Sequence, residues 1–134
     1  MTEPDLPPVR LVLDRSALLA YLAGSMDVAE PIHEVAQDGV RFGVPAIVVA
    51  EVLAVADDPA DRAMLHRLLE RSACAVLSTW GEDWQELAYW RNFTGRVDLA
   101  AVVMAVLEHD ACVLTGEAKV YGDGADLPVI RFPA

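Results

Sequence analysis

VRLVLDRSALLAYLAG, residues 9–24, passes from an apolar run to a helical one through a single carboxylate, Asp14. Residues 9–13 predict a short buried strand; Ser16 then opens the apolar run ALLAYLAG, which ends at Gly24 as helices commonly do. The same unit recurs along the chain. Residues 28–37 predict a helix that places Pro31 in its first turn, the only turn that tolerates a missing N–H, with Gly39 as the stop. RFGVP then predicts a short strand and PAIVVAEVLAVA (45–56) an apolar helix. Asp58 and Pro59 mark the start of a helix that runs to about Arg71. ACAVLS (73–78) predicts a strand, and Thr79 with Glu82 suggests a capping box ahead of a Trp-rich helix that Gly95 breaks. From Asp98 to His109 the chain is apolar all round, the pattern of a central buried helix, and ACVLT and LPVIRF supply two last strands. Strands alternating with helices predict an α/β domain of three layers, α/β/α, with a mainly parallel sheet of four to five strands. Such sheets bind ligands beyond the carboxyl ends of their strands.

The bulk properties bound the function. A chain of 134 residues, 54% hydrophobic, builds a core without disulfide or zinc staples. We expect a polar, Pro-rich tail over residues 1–8 and one domain over 9–134. The longest apolar run, Leu99 to Leu107, is too short to span a bilayer, and the first residues lack the pattern of a signal peptide; a cytoplasmic protein with no membrane contact is the expectation. Cys74 and Cys112 sit inside apolar runs and read as buried free thiols. The net charge of −11 argues against a broad nucleic-acid surface, so any phosphate-binding groove must be local.

Four acids are the candidate chemistry. Asp14 follows the first strand and Glu117 follows ACVLT by two residues, both at strand carboxyl ends. Glu51 has apolar neighbours three and four residues away (Ile47, Val48, Ala54, Val55), which predicts a core-facing stripe where a lone carboxylate needs a cation, a donor or a cleft. Asp98 opens the long apolar helix, where it is equally an N-cap. Three or four carboxylates without His or Cys suit Mg²⁺ or Mn²⁺, and a metal so held supplies an activated water for phosphodiester hydrolysis.

VRLVLDRSALLAYL, PAIVVAEVLAV, GRVDLAAVVMAVL and ACVLTGEAKVYG resemble, in order, the signature segments of PIN-domain ribonucleases, most of all the VapC-type toxins of toxin–antitoxin pairs. The likeness spans Val9 to Phe132 and implies a PIN-like fold. On this resemblance the metal-binding, catalytic acids fall on Asp14, Glu51, Asp98 and Glu117, with Ser16 and Thr115 supporting them. The last acid is ordinarily Asp in a Thr, any residue, Asp motif; here Glu117 fills that place and reaches one methylene further. The likeness further implies Mg²⁺ or Mn²⁺ as cofactor, an RNA substrate, a homodimer and an antitoxin partner.

Other residues read more plainly. Arg15, Arg91 and Arg96 lie near the acids in sequence, and Arg67 and Arg71 share a helix face; Arg15 and Arg96 are the candidate RNA contacts. Trp80 and Trp84, four apart, suit core or interface packing, or base stacking. His33, His66 and His109 lack the spacing of a zinc site, and Asp123 and Asp126 read as turn residues. Two rival readings stand beside the ribonuclease: a PIN-like scaffold with weakened catalysis acting as a binding module, and a receiver-like domain with Asp14 as phosphoacceptor.

Overall fold

The structure is a computed structural model that describes residues 6–122 and 127–133. Its elements follow the apolar pattern: β1 (Val9–Leu13), α1 (Arg15–Leu22), α2 (Met26–Gln37), β2 (Arg41–Pro45), α3 (Ala46–Val55), α4 (Pro59–Leu69), β3 (Cys74–Leu77), α5 (Trp84–Thr94), α6 (Val97–His109), β4 (Cys112–Thr115) and β5 (Val129–Arg131). All neighbouring strands pair in parallel, in the order β3-β2-β1-β4-β5. The α/β expectation holds, with five strands.

β1 lies at the centre because it is the strand most able to be dry on both sides. Successive strand residues point to opposite faces, yet Leu11, Val12 and Leu13 are all buried, as are Val113 and Leu114 of β4. Both faces are therefore covered by helices. α6 supplies the most apolar cover: Leu99, Val102, Val103 and Val106 are buried, and the helix packs against β1, β2 and α5. Free thiols stand at Cys74 and Cys112, both half-buried, and burial pushes the Cys74 thiol up to about 11. No helix among the described residues is long and apolar enough to cross a membrane.

Several local expectations change. α2 starts at Met26, so Pro31 sits in its second turn. Pro31 there lacks the N–H that would reach the Asp27 carbonyl, yet the helix continues through it to Gln37. Thr79 and Glu82 form no capping box: residues 81–83 make a 3₁₀ turn, and α5 begins after it without a side-chain cap. Trp80 and Trp84 are not core residues, being 57% and 64% exposed. The apolar neighbours of Glu51 do not form one inward stripe, since Val48 and Val52 are buried but Ala54 and Val55 face outward. Asp123, Asp126 and the first five residues of the expected tail lie outside the described residues.

One backbone corner positions the site. Gly95 closes α5 in the left-handed region, φ +88°, so that the chain turns directly into Arg96 and α6. A Cβ there would meet nothing within 4 Å, so its only cost is backbone strain. Gly95→Ala should therefore lower stability by roughly 1–2 kcal/mol, read as a shift in urea midpoint with unchanged slope, and Gly95→Asn should lose less.

Candidate active site

Asp14 is the residue between β1 and α1, and none of its surface is exposed. A buried carboxylate survives only if its oxygens are supplied with donors. Oδ1 accepts from the Ser16 hydroxyl at 2.6 Å and from the Ala17 N–H at 2.9 Å, which makes Asp14 the N-cap of α1. Oδ2 accepts from the Tyr121 hydroxyl at 2.7 Å. Capping and site-building are thus one arrangement, and the sequence treated them as alternatives.

Ser16 carries this link across the sheet. Its single proton goes to Asp14, so at the 3.3 Å contact with Thr115 the Thr115 hydroxyl donates to Ser16 Oγ. Ser16 Oγ also accepts from the Gly116 N–H at 2.9 Å, and Thr115 Oγ accepts from the Glu117 N–H at 2.9 Å. The supporting pair expected from sequence therefore ties the carboxyl end of β1 to that of β4, its parallel neighbour.

Asp98 is the second residue of α6, whose N-cap position is taken by Arg96; Asp98 does not cap the helix. Its side chain, 3% exposed, is gripped by Arg96 instead. Arg96 Nε donates to Oδ1 at 3.0 Å and Nη2 to Oδ2 at 2.8 Å, a two-pronged ion pair. Nη2 also reaches Glu117 Oε2 at 3.5 Å. Burial raises the Asp98 pKa, but the Arg96 hydrogen bonds and charge, with Arg15 behind them, outweigh it and hold the carboxyl below its usual range. The Arg96 guanidinium is correspondingly pushed up, first by its bond to Asp98. Burial, then the charge and hydrogen bond of Asp14, raise the Tyr121 hydroxyl, so it stays a donor.

Of the four predicted acids, the structure links three through these side chains: Asp14 through Ser16, Thr115 and Tyr121, and Asp98 with Glu117 through Arg96. Glu51 is half-buried on α3, which packs against α1 and α6, and it makes no hydrogen bond or ion pair with a described residue. Among the described residues no three of His, Cys, Asp and Glu stand close enough to hold a metal ion. Arg15 acts on Asp98 by charge alone. The sequence missed two partners. Tyr121 carried a usable signal, as an aromatic with a polar tip beside an apolar residue, which when buried needs an acceptor; Arg96, expected to meet RNA, is here the counter-ion of the acids.

Solved structures share this architecture. VapBC2 from Rickettsia felis, bound to a DNA fragment from the promoter, matches over 92% of this chain and 98% of the matched one, with TM-score 0.71 and 11% identity. The fold is PIN-like. A toxin–antitoxin complex from Klebsiella pneumoniae matches over 90% and 95%, with TM-score 0.70 and 13% identity. FitAcB from Neisseria gonorrhoeae matches over 90% and 96%, with TM-score 0.63 and 19% identity. No family profile and no curated protein sequence matches the chain. The PIN-like fold is therefore carried here by a sequence that shares few residues with these structures.

Two outcomes follow from the wiring. Tyr121→Phe removes a donor from a fully buried carboxylate and should cost about 1–3 kcal/mol in chemical unfolding, whereas an exposed tyrosine would cost almost nothing. The folded pKa of Asp98 lies below its unfolded value, about 3.9, so the stabilisation it gives is present above that pH and fades as pH falls through the lower, folded value. Unfolding free energy should accordingly drop less between neutral pH and pH ~3 in Asp98→Asn than in the unaltered chain.

Proposed function

We propose that this chain is a metal-dependent endoribonuclease of the PIN type and the toxin component of a toxin–antitoxin pair. The observation that carries the reading is the gathering of Asp14, Asp98 and Glu117, from the ends of β1 and β4 and the start of α6, into side-chain networks at the carboxyl edge of a parallel sheet. The donors are all oxygen, the set preferred by Mg²⁺ or Mn²⁺, and the cluster already draws in a cation, the Arg96 guanidinium. The residue types fit such an ion, although Arg96 holds Asp98 and Glu117, and Asp14 is held apart from it by Ser16, Ala17 and Tyr121.

Asp14, Asp98 and Glu117 would hold the metal, with Glu51 from α3. Bound there, the ion supplies an activated water and neutralises charge on a phosphodiester. The remaining residues do the positioning. Ser16 and Thr115 fix Asp14 relative to Glu117, Tyr121 holds the second Asp14 oxygen as a permanent donor, and Arg15 and Arg96 offer guanidinium groups to RNA phosphates. An acidic protein presents few such groups, so contact with RNA is confined to this mouth. The likeness to a toxin–antitoxin complex supports an antitoxin partner; a homodimer in the cytoplasm is part of the same proposal.

A second reading has its own observation. No three described acids stand close enough for a metal, and Arg96 already pairs with two of them, as in a scaffold that has exchanged catalysis for binding. Incubation of the purified chain with single-stranded RNA and Mn²⁺ or Mg²⁺ separates the two. Cleavage that falls at least about a hundredfold in Asp14→Asn, a loss of some 2.7 kcal/mol in barrier lowering, is expected. Undiminished cleavage in that variant would sink the assignment, and no cleavage with either ion favours the scaffold.

A further inference from the structure

Arg96 is the cation on which the acid cluster is built, and its placement is unusual for a residue that only neutralises charge. Both of its bonded nitrogens serve Asp98, engaging both carboxylate oxygens, and one of them continues to Glu117. Asp98 is almost wholly buried, while the Arg96 side chain is 31% exposed, so the guanidinium lies between the acid and solvent. A divalent ion approaching Asp98 from water meets Arg96 first. The two cations want the same oxygens, and like charges so close repel strongly.

We infer that Arg96 is a tethered competitor for the metal position: it closes the resting site, and a divalent ion enters only as Arg96 swings out. The anchor permits this motion. Arg96 is the N-cap residue, in extended backbone just outside α6, and its partly exposed side chain bonds only Asp98 and Glu117 and no backbone group of the helix, so turning it outward breaks no helical hydrogen bond. Asp98, by contrast, is fixed within the helix and stays. In the outward state the acids are free for a metal, and the released guanidinium, still at the mouth, is available for a phosphate. In the inward state Arg96 occupies both Asp98 oxygens and reaches Glu117, and the site is shut. Metal and Arg96 thus exclude one another, and the apparent metal affinity is reduced by the fraction of molecules in which Arg96 is inward.

The inference rests on the metal-dependent reading above, and binding tests it without reference to cleavage. MnCl₂ is titrated into the full chain, into Arg96→Gln and into Arg96→Lys, with bound Mn²⁺ followed by calorimetry and by loss of the free-ion electron paramagnetic resonance signal. A thermal melt establishes that each variant is folded. Arg96→Gln should bind Mn²⁺ on the order of tenfold tighter, as expected when a charge-assisted competitor is removed. Arg96→Lys, which keeps the charge and loses the fork, should fall between the two. Equal or weaker binding by Arg96→Gln overturns the inference, as does absence of binding in all three proteins. Tighter binding with no RNA cleavage by any form leaves the competition standing and removes the ribonuclease reading. Cleavage by the unaltered chain with no gain in Arg96→Gln does the reverse.

Discussion

A carboxylate with no exposed surface sits at the end of the central strand, and the rest of the structure is arranged to make that tolerable. An ionised group so placed is ruinous unless it is given donors. Asp14 receives three: two from the first turn of its own helix, the Ala17 N–H and the Ser16 hydroxyl, and one from the phenol of Tyr121, 107 residues away. Satisfying one acid therefore brings β1, α1, the end of β4 and the turn beyond it to a common point. The same bonds that permit burial also fix where the acids stand.

Charge in this site is balanced internally and asymmetrically. Asp14 receives hydrogen bonds from neutral donors alone, and no cation is bonded to it. Asp98 and Glu117 share one guanidinium, which leaves the group of three acids and Arg96 with an excess of negative charge. Such an excess beneath a half-exposed surface attracts cations in a protein whose net charge is already −11. The acidity that counts against a broad nucleic-acid surface is, at this one edge, consistent with cation-assisted contact.

The architecture was legible because hydrophobicity at period two or none is a strong local signal; VRLVL, CVLT and the helix from Val97 each announce their burial in their own residues. Interactions at a distance were not legible in the same way. That Tyr121 meets Asp14 depends on how far the chain folds back after β4, which no local pattern encodes. The capping reading of Asp98 failed for a smaller reason: Gly95 turns the chain so sharply that helix α6 begins one residue earlier, at Val97, and Asp98 is carried inside it. Glu51 was read from neighbours at three and four positions, a test that presumes one buried stripe, whereas α3 is apolar on faces that point outward as well. The tryptophans misled in the same way, as large apolar residues that the fold leaves uncovered.

Ser16 and Thr115 are 99 residues apart in sequence, and Tyr121 lies 107 residues from Asp14. During synthesis the first strand and its acid leave the ribosome long before either partner exists. For most of that time Asp14 has only its own helix and Ser16 to serve it, and β1 lacks β4 on one side. Pairings of this span form late and slowly. The acid mouth is accordingly among the last features the chain completes, and a truncated or stalled product that ends before β4 carries the acid without the site.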